Sequence, residues 1–314
     1  MSQTLSKPQC RACGKNKMTL WATSPDRLLS THELFHYWKC HACGSLTLFP
    51  LPSTESLRDH YPTSYPPFLS HSKPTISKPP PVHTRMVSLP LPFLHALRNF
   101  FTGDLDWWWL PLDFKGRVLE IGSSNGAFLE RLSRRCPYAS VEGIEINDQA
   151  AAQARARGFN VHTGDLFHIQ LTSTSYDLIY LSHVLEHLDD PQKYLMHLYS
   201  LLAPRGRIVI LIPNSTSWSA YLFRSYWFAL EAPRHFFIPS SRQLHTLLHD
   251  AGFRNITTRF RVYPKSFLKS IRYLMGKGQG NVAYKLVMCL TPFAKIASWA
   301  KATSVMEIVG EKNV

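Results

Sequence analysis

The chain has 314 residues, and its 35 lysines and arginines against 21 acidic residues give a formal net charge of +14. Hydrophobic residues make up 45% and charged residues 18%, a globular composition that excludes a disordered or collagen-like chain. The positive excess favours an anionic partner, namely nucleic acid, a membrane surface or a phosphorylated substrate, without choosing among them.

The amino-terminal segment lacks the apolar core of a secretory signal, and no stretch reaches the roughly 18 apolar residues of a transmembrane helix. We therefore expect a cytoplasmic protein, with a possible peripheral contact at the inner face of the membrane. Six cysteines in a reducing compartment favour metal ligands or free thiols over disulfides.

Four of the cysteines form two Cys-x-x-Cys pairs, Cys10 with Cys13 and Cys40 with Cys43, and a glycine follows each pair. Two such pairs supply the four thiolates of a tetrahedral zinc ion. We predict a closed structural zinc site in a ribbon over residues 1–60. A redox pair is the competing interpretation, and it is disfavoured because no thioredoxin-like pattern surrounds either pair.

Residues 61–92 carry nine prolines and predict a semi-rigid linker. Strand-like and helix-like runs then alternate over residues 93–314. We predict strands at 117–121, 140–146, 176–181, 207–212, 255–262 and 304–309, and helices at 127–135, 148–157, 191–202 and 241–251. Such alternation with apolar strands predicts an α/β fold in which helices cover both faces of a parallel sheet.

Residues suited to ligand binding follow four successive strands at the same edge of this sheet. The loop from Gly122 to Gly126 is small enough to let its backbone approach a ligand, and the next helix N-terminus favours a carboxylate. Glu145 ends the second strand, where an acid accepts from both hydroxyls of a ribose. Asp165 follows the third strand and suits an exocyclic amine, and Ser182 ends the fourth.

On these motifs, residues 117–263 resemble a class I S-adenosylmethionine-dependent methyltransferase. The motifs are VLEIGSSNGAFLE, GIEIN, TGDLF and YDLIYLSHVLEHLDDP. The resemblance implies a Rossmann-like sheet in which the glycine loop wraps the methionine part, Glu145 holds the ribose and Asp165 lies near the adenine. The expected cofactor contacts are Glu120, Gly122, Ser123, Ser124, Asn125, Gly126, Glu145, Ile146, Asp165, Leu166, Leu181 and Ser182. Ser124 stands where the family usually has a glycine. A dinucleotide site is disfavoured because Gly-x-x-x-Gly lacks the usual Gly-x-Gly-x-x-Gly.

Residues 213–239 are rich in aromatic side chains and resemble the segment after the fifth strand in a bacterial methyltransferase subgroup. That subgroup often carries an N-terminal zinc ribbon and tends to modify small molecules, sugars or lipid-linked glycans. We expect the segment to lie over the reacting end of the cofactor. A structural insertion with buried aromatic residues is the alternative.

Candidate catalytic residues are His187, His235 and His183, because a hydroxyl acceptor benefits from a base beside the methyl group. Ubiquinone-biosynthesis O-methyltransferases bind a divalent metal through a similar Glu-x-x-Glu-His stretch. Here His183 replaces the first glutamate of that stretch, with Glu186 and His187 following. We therefore do not predict a catalytic metal.

The stretch from Ala251 to Met306 contains no acidic residue. Within its predicted helical insertion, 264–302, the apolar residues Phe267, Leu268, Ile271, Leu274 and Met275 fall on one helical face. This pattern predicts a contact with an anionic membrane, and a helical cap packed on the domain is the alternative.

The leading prediction is a methyltransferase that acts on oxygen of a small-molecule, sugar or lipid-linked glycan acceptor. One alternative is an RNA methyltransferase that grips phosphates with the ribbon and the basic segment. The other is a non-catalytic scaffold whose cofactor loop has decayed through Ser124.

Overall fold

The structure is a computed structural model that describes residues 8–62, 109–111, 113–261, 263–276 and 303–313. Residues 63–92 of the predicted linker and 277–302 of the predicted basic insertion lie outside the described residues.

Within the described residues the strands are β1 Met18–Pro25, β2 Leu34–Cys40, β3 Leu46–Leu48, β4 Arg117–Ile121, β5 Ser140–Glu145, β6 Asn160–Thr163, β7 Tyr176–Ser182, β8 Leu202–Pro213, β9 Phe237–Ile238, β10 Arg254–Arg261 and β11 Val305–Glu311. The helices are α1 Thr54–Asp59, α2 Ala127–Arg135, α3 Asp148–Ala156, α4 Pro191–Leu201, α5 Trp218–Phe223, α6 Ser241–Asp250 and α7 Pro264–Met275. A seven-stranded sheet has the order β10-β11-β8-β7-β4-β5-β6, and a four-stranded sheet has the order β1-β2-β3-β9.

The α/β prediction is confirmed, with one correction to the direction of the strands. Strands β6, β5, β4, β7 and β8 are parallel, whereas β11 runs antiparallel to both β8 and β10. The sequence predicted a parallel sheet because apolar runs indicate burial but carry no information on strand direction. β8 also begins five residues before its predicted start.

Local signals explain where the helices begin. Pro191 occupies the first turn of α4, and the Asp190 side chain caps that helix by accepting from the backbone N–H of Lys193. Asn147 caps α3 in the same way. Each capping residue directly follows a loop at the carboxyl edge of the sheet, so the hydrogen bond of the cap fixes the end of that loop.

Helices bury apolar residues on both faces of the large sheet. On one face, Ile179 and Ile210 of the central strands pack with Leu195 and Leu247 of α4 and α6. On the other face, Phe128 of α2 joins the cluster around the central strands, with its ring stacked 4.0 Å from the ring of Tyr180. This double cover makes the interior strands continuously apolar.

The cysteine-rich segment pairs and packs with the aromatic segment 213–239. β3 pairs with β9 of the aromatic segment, so that Leu46 lies opposite Ile238. Trp21 and Tyr37 of the small sheet share one buried cluster with Trp227 of the aromatic segment. The aromatic side chains of the segment 213–239 therefore pack largely on the small sheet.

Helix α7 requires a correction to the predicted membrane face. Leu268 is buried, and Phe267 and Ile271 pack against the cluster that contains Trp21 and Trp227. The alternative of a packed helical cap describes these three residues, because the cluster offers them an apolar contact inside the protein. Leu274 and Met275 remain exposed. Among the described residues no helix has the length and apolar character needed to cross a membrane.

Candidate active site

A cavity of about 850 Å³ lies where the strands of the large sheet end. The carboxyl ends of β4, β5 and β7 contribute Ile121, Glu145 and Ser182 to its wall, and Gly164 follows β6. The register of the parallel strands aligns these ends, since Ile121 lies opposite Leu181 and Glu145 opposite Thr163. The edge predicted from the sequence is therefore concave and lined by the predicted loops.

The glycine loop turns through the left-handed region of backbone conformation at Gly122, Ser124 and Gly126, with φ of 72°, 48° and 78°. A Cβ at Gly122 would lie 2.5 Å from a methyl group of Val184. Glycine at this position therefore allows the loop to pack closely on Val184, which follows β7, while its own backbone lines the cavity. Ser124 adopts a conformation that glycine accepts more readily, which accounts for the glycine usual in the family.

Glu145 fastens this loop. Its carboxylate accepts from the backbone N–H of Ser124 at 2.7 Å and from that of Asn147 at 2.8 Å. Burial raises the pKa of Glu145, and the backbone hydrogen bonds act against that rise. The side chain borders the cavity, so a ligand with hydroxyl donors can replace or share these backbone partners.

Asp165 is held from two sides. One carboxylate oxygen caps the short turn that follows by accepting from the N–H of Phe167 at 2.9 Å. The other accepts from the hydroxyl of Tyr194 at 2.9 Å. Tyr194 of α4 also lines the cavity, and sequence reasoning did not identify it.

The predicted cofactor residues separate into two groups. Those that line the cavity are Gly122, Ser124, Glu145, Ile146, Asp165, Leu166, Leu181 and Ser182. Those that do not are Glu120, Ser123, Asn125 and Gly126. Glu120, Ser123 and Asn125 are buried behind the loop, and Asn125 accepts from the backbone N–H of Ala127 at the start of α2. Their positions suit a role in shaping the loop.

Three histidines surround the fully buried carboxylate of Glu186. His183 Nδ1 lies 3.1 Å from Glu186 Oε1, and His235 Nε2 lies 3.9 Å from the same oxygen. The rings of His187 and His235 are 4.6 Å apart. His183, His187 and His235 all line the cavity, so the structure brings the three predicted catalytic residues together.

A hydrogen bond to a carbonyl group determines the tautomer of His235. His235 Nδ1 lies 2.8 Å from the carbonyl oxygen of Ala229, which only accepts, so Nδ1 carries a proton and the neutral ring has a lone pair at Nε2. His187 Nδ1 lies 3.0 Å from the carbonyl oxygen of Arg234 and equally close to the hydroxyl of Tyr61. Burial, with a further contribution from His187, lowers the pKa of His235 to about 3.

His183 has a different electrostatic setting. Burial works against its charged form, but the hydrogen bond to Glu186 and the negative charges of Glu186 and Glu231 together outweigh burial and raise the pKa of His183. The same pairing, together with the neighbouring histidines, lowers the pKa of Glu186 in spite of its burial. Glu186 is therefore an ionised acceptor, and His183 donates to it through Nδ1.

Glu186, His187 and His235 have ligand atoms within 4.8 Å of one another, close enough to share a cation. This set differs from the Glu-x-x-Glu-His pattern considered from the sequence, because His235 from the aromatic segment takes the place of His183. Only the tertiary structure brings His235 to this position.

Phe228 and Glu231 of the aromatic segment, which was expected near the reacting end of the cofactor, also line the cavity. Further lining residues come from segments that sequence reasoning had not connected with the site, namely Arg58 on α1, Tyr61 just after it, Tyr263 before α7 and Lys269 on α7. The hydroxyl of Tyr61 lies 3.0 Å from His187 Nδ1. No local motif marks these residues, because each is far in sequence from the loops that it faces.

The four ribbon cysteines meet as predicted. Cys10 and Cys43 are 3.6 Å apart at sulfur, as are Cys13 and Cys40, and all four sulfurs lie within 4.8 Å of one another. Sulfurs at about 2.3 Å from a tetrahedral zinc ion are separated by about 3.8 Å, so the spacing fits such an ion. The donor set of four thiols in one cluster also matches structural zinc.

A buried ion pair joins the ribbon to the segment that carries His235. The guanidinium of Arg234 donates to both carboxylate oxygens of Asp26, which lies just after β1. His60 also contacts this carboxylate, at 2.7 Å. The hydroxyl of Tyr37 donates to the carbonyl oxygen of His235 at 3.0 Å. Ribbon residues therefore support the backbone beside two of the histidines.

Comparison with known proteins identifies a family for this chain. A profile described as a methyltransferase domain matches residues 93–258. The tRNA U34 carboxymethyltransferase of Desulfotalea psychrophila is 28% identical over 155 residues, which are 46% of this chain and 47% of that protein. The trans-aconitate 2-methyltransferase of Variovorax paradoxus is 30% identical over 146 residues, which are 46% of this chain and 56% of that protein. The chain thus spans about half the length of these relatives.

Among solved structures, the complex between the Trm112 methyltransferase activator and a methyltransferase of Haloferax volcanii contains a similar chain. The two are 14% identical, the match covers 71% of this chain and 93% of that one, and the TM-score is 0.50. At this identity the likeness concerns the fold alone. Because the matching profile spans more than half of the chain, this protein belongs to the methyltransferase domain family, with the sheet of class I S-adenosylmethionine-dependent enzymes.

Proposed function

We propose that the protein transfers a methyl group from S-adenosylmethionine to an oxygen atom of a small-molecule, sugar or lipid-linked glycan acceptor. The observation that carries the proposal is the one cavity that joins the glycine loop, Glu145 and Asp165 to the three histidines around Glu186. Cofactor-type residues and proton-handling residues thus face the same space, which has room for two ligands.

The cofactor half of the cavity is formed by the loops after β4, β5 and β6. Gly122 and Ser124 present backbone to a methionine moiety, and the start of α2 favours its carboxylate. Glu145 accepts from the ribose hydroxyls, and Asp165 accepts from the adenine amine. Gly122 lines the cavity, and a Cβ there would collide with Val184, so glycine lets the loop backbone run at the cavity wall, which is the feature that fits this cofactor best.

The cofactor supplies a methyl group on positively charged sulfur, which an acceptor atom attacks in line. The protein holds the acceptor oxygen against that methyl group, and such positioning provides much of the acceleration. His183 receives the acceptor's proton at Nε2, because its Nδ1–H is already directed to Glu186. The buried Glu186 carboxylate stabilises the imidazolium that results.

His187 and His235 stand farther along the same cavity. The Nδ1–H of His235 is held by the carbonyl oxygen of Ala229, so its Nε2 serves as an acceptor for a hydroxyl group of the substrate. The rings of Tyr61, Tyr263 and Phe228 also line this half. Aromatic rings beside several hydrogen-bond acceptors suit a polyhydroxylated acceptor such as a sugar.

The relatives support methyl transfer but differ in their acceptors. The trans-aconitate 2-methyltransferase is named for a small molecule, and the tRNA U34 carboxymethyltransferase is named for a tRNA. The second name and the net charge of +14 favour RNA as the alternative acceptor. In either case we propose that the ribbon binds zinc structurally, because four protein thiols leave no open ligand position.

A two-step experiment tests the proposal. Calorimetry with S-adenosylhomocysteine first measures cofactor-site binding, and no binding would favour the scaffold alternative. Tritiated S-adenosylmethionine is then offered with small carboxylates, nucleotide sugars, lipid-linked sugars, and tRNA or ribosomal RNA in separate reactions. We expect label in a small-molecule or glycan fraction, lost with His183→Gln and kept with His249→Gln, a histidine exposed on α6 outside the cavity lining. Label found in RNA alone would replace the proposed acceptor class.

A further inference from the structure

Helix α5 is apolar on both of its sides. Ala220 and Phe223 are buried in the aromatic cluster. Trp218, Tyr221 and Leu222 are 36%, 45% and 60% exposed. Residues three and four apart lie on the same side of a helix, so these three form one outward stripe, called here the outer face of α5. A helix that is apolar all round belongs in a core or at a membrane.

The elements around this face carry basic side chains and no acidic one within their own ranges, although the exposed Glu33 directly precedes β2. The ammonium group of Lys39 lies 4.5 Å from the centre of the Tyr221 ring, and the guanidinium of Arg224 lies 5.3 Å from the ring of Trp21. The sequences of β1, β2, α5 and α7 include no aspartate or glutamate. The surface that these elements share is therefore complementary to negative charge.

Exposed apolar side chains concentrate on the same elements. The described residues include eleven large hydrophobic side chains that are exposed. Seven belong to β1, β2, α5 or α7, namely Leu20, Leu34, Trp218, Tyr221, Leu222, Leu274 and Met275. Of the other four, Tyr263 and Ile146 line the cavity, and Tyr138 and Met196 lie on other parts of the fold. Such concentration is typical of an interaction surface.

We propose that the outer face of α5 docks on a bilayer that contains anionic lipids. Trp and Tyr favour the headgroup boundary, Leu222 reaches the acyl region beside them, and Lys39 and Arg224 meet lipid phosphates. RNA phosphates would pair with the cations, but RNA offers no apolar region to bury the exposed Leu222. A lipid surface offers both phosphates and an apolar region, so it fits the combination better. This contact differs from the one predicted for α7, whose Phe267 packs inside the protein.

The docking surface adjoins the cavity through α7. Phe267 of that helix packs on Trp218 with ring centres 5.1 Å apart. Lys269, two residues later, lines the cavity. A bilayer on the outer face of α5 would bring lipid-anchored acceptors to that side of the cavity. This last step rests on the proposed function, whereas the membrane contact does not.

Flotation with liposomes tests the contact without any acceptor. Full-length zinc-loaded protein is mixed with phosphatidylcholine vesicles that contain roughly 30% phosphatidylglycerol or none. We expect wild type to float with the anionic vesicles. Trp218→Ser/Leu222→Ser should lower the partition coefficient at least about tenfold, or about 1.4 kcal/mol. The matched control is Tyr138→Ser/Met196→Ser, which removes equally exposed apolar side chains elsewhere and should float as wild type does.

Several outcomes would overturn the proposal. These are wild type that ignores anionic vesicles, a Trp218→Ser/Leu222→Ser variant that floats unchanged, and a control that loses binding equally. Sedimentation that shows a dimer split by the Trp218→Ser/Leu222→Ser substitutions, without flotation of wild type, would make this face an interface between copies. Binding of a ribosomal RNA fragment in place of vesicles would assign it to RNA.

Two further measurements keep the result decisive. S-adenosylhomocysteine calorimetry on every variant verifies folding and separates failure of the contact from failure of the proposed function. If Trp218→Ser/Leu222→Ser does not fold, Lys39→Ser/Arg224→Ser replaces it and should weaken flotation by a similar factor, because lipid phosphates lose their partners. Unchanged flotation of that second variant would also overturn the proposal.

Discussion

The guanidinium of Arg234 donates to the carboxylate of Asp26 through two hydrogen bonds, at 2.7 and 2.8 Å, and both side chains are fully buried. The two residues are separated by 208 positions in the chain. One belongs to the cysteine-rich segment and the other precedes the candidate catalytic His235. The pair therefore couples the ribbon to the geometry of the cavity.

Removing the charge of Asp26 should destabilise the fold strongly. Asp26→Asn removes the fully buried anion that accepts two hydrogen bonds from Arg234 and leaves Glu231, 3.5 Å from its Nε, as a more distant carboxylate; breaking such a buried pair costs about 3–5 kcal/mol. Urea unfolding measures the loss. Asp59→Asn, at an exposed position of α1, should change the free energy of unfolding by less than about 0.5 kcal/mol. If both variants lose similarly little free energy of unfolding, the pair of Asp26 and Arg234 contributes little to stability.

The same pair predicts a specific loss of stability in acid. Burial works against the charged form of Asp26, but the hydrogen bonds and charge of Arg234 outweigh it and lower the pKa of Asp26 below its usual 3.8. The unfolded chain then takes up this proton at a higher pH than the folded chain. The contribution of the pair is thus complete above about pH 4 and is lost as pH falls through the lower, folded pKa. Calorimetric scans between about pH 5 and 2 should show a steeper fall of Tm in wild type than in Asp26→Asn, and parallel slopes would contradict this.

Purified protein should contain close to one zinc ion per chain, and Cys40→Ser should lose it. Three thiolates and a hydroxyl bind zinc more weakly than four thiolates do. Elemental analysis by mass spectrometry gives the stoichiometry. Cys136→Ser is the matched control, because Cys136 is buried outside the cluster and should not affect the metal content. Folded wild type without zinc would refute the assignment of the ribbon.

Glu145→Ala should weaken binding of S-adenosylhomocysteine by about 1–3 kcal/mol, since a hydrogen bond to a charged group is lost. Loss of the acceptor for the Ser124 N–H also loosens the loop and acts in the same direction. Calorimetry measures the affinity. Glu142→Ala, on the same strand but outside the cavity lining, should leave it unchanged. An unaffected Glu145→Ala protein would show that the ribose lies elsewhere.

Ser124→Gly should stabilise the protein and retain binding of S-adenosylhomocysteine. Ser124 has φ of 48°, and an L-residue in this left-handed region costs about 1–2 kcal/mol that glycine avoids. Ser123→Gly should instead lower the free energy of unfolding, because Ser123 is buried and its φ is not positive. Thermal unfolding compares the two variants. A wild type that binds nothing, with binding restored by Ser124→Gly, would support the decayed-loop alternative.

Much of the fold could be predicted because its signals are local. The pattern of apolar residues located α2 and β4 to within a residue, and the sheet register then brought Glu145 and Asp165 to one edge. The direction of β11 could not be predicted, because an apolar strand reads the same in either orientation. The inward packing of Phe267 could not be predicted either. The sequence shows that one face of the helix is apolar, but it does not show which part of the protein covers that face.

The sequence by itself determined the family, the order of the ligand-binding loops and the four zinc-type thiols, because each of these depends on short spacings along the chain. Only the tertiary structure decided how Asp26 meets Arg234, how Tyr61 reaches His187, and how His235 joins Glu186. These contacts link residues that are distant in sequence, and their energies exist only once folding has removed the groups from water. Burial lowers the pKa of His235, whereas pairing with Glu186 raises the pKa of His183 in spite of burial, so these tertiary contacts decide which histidine is suited to accept a proton.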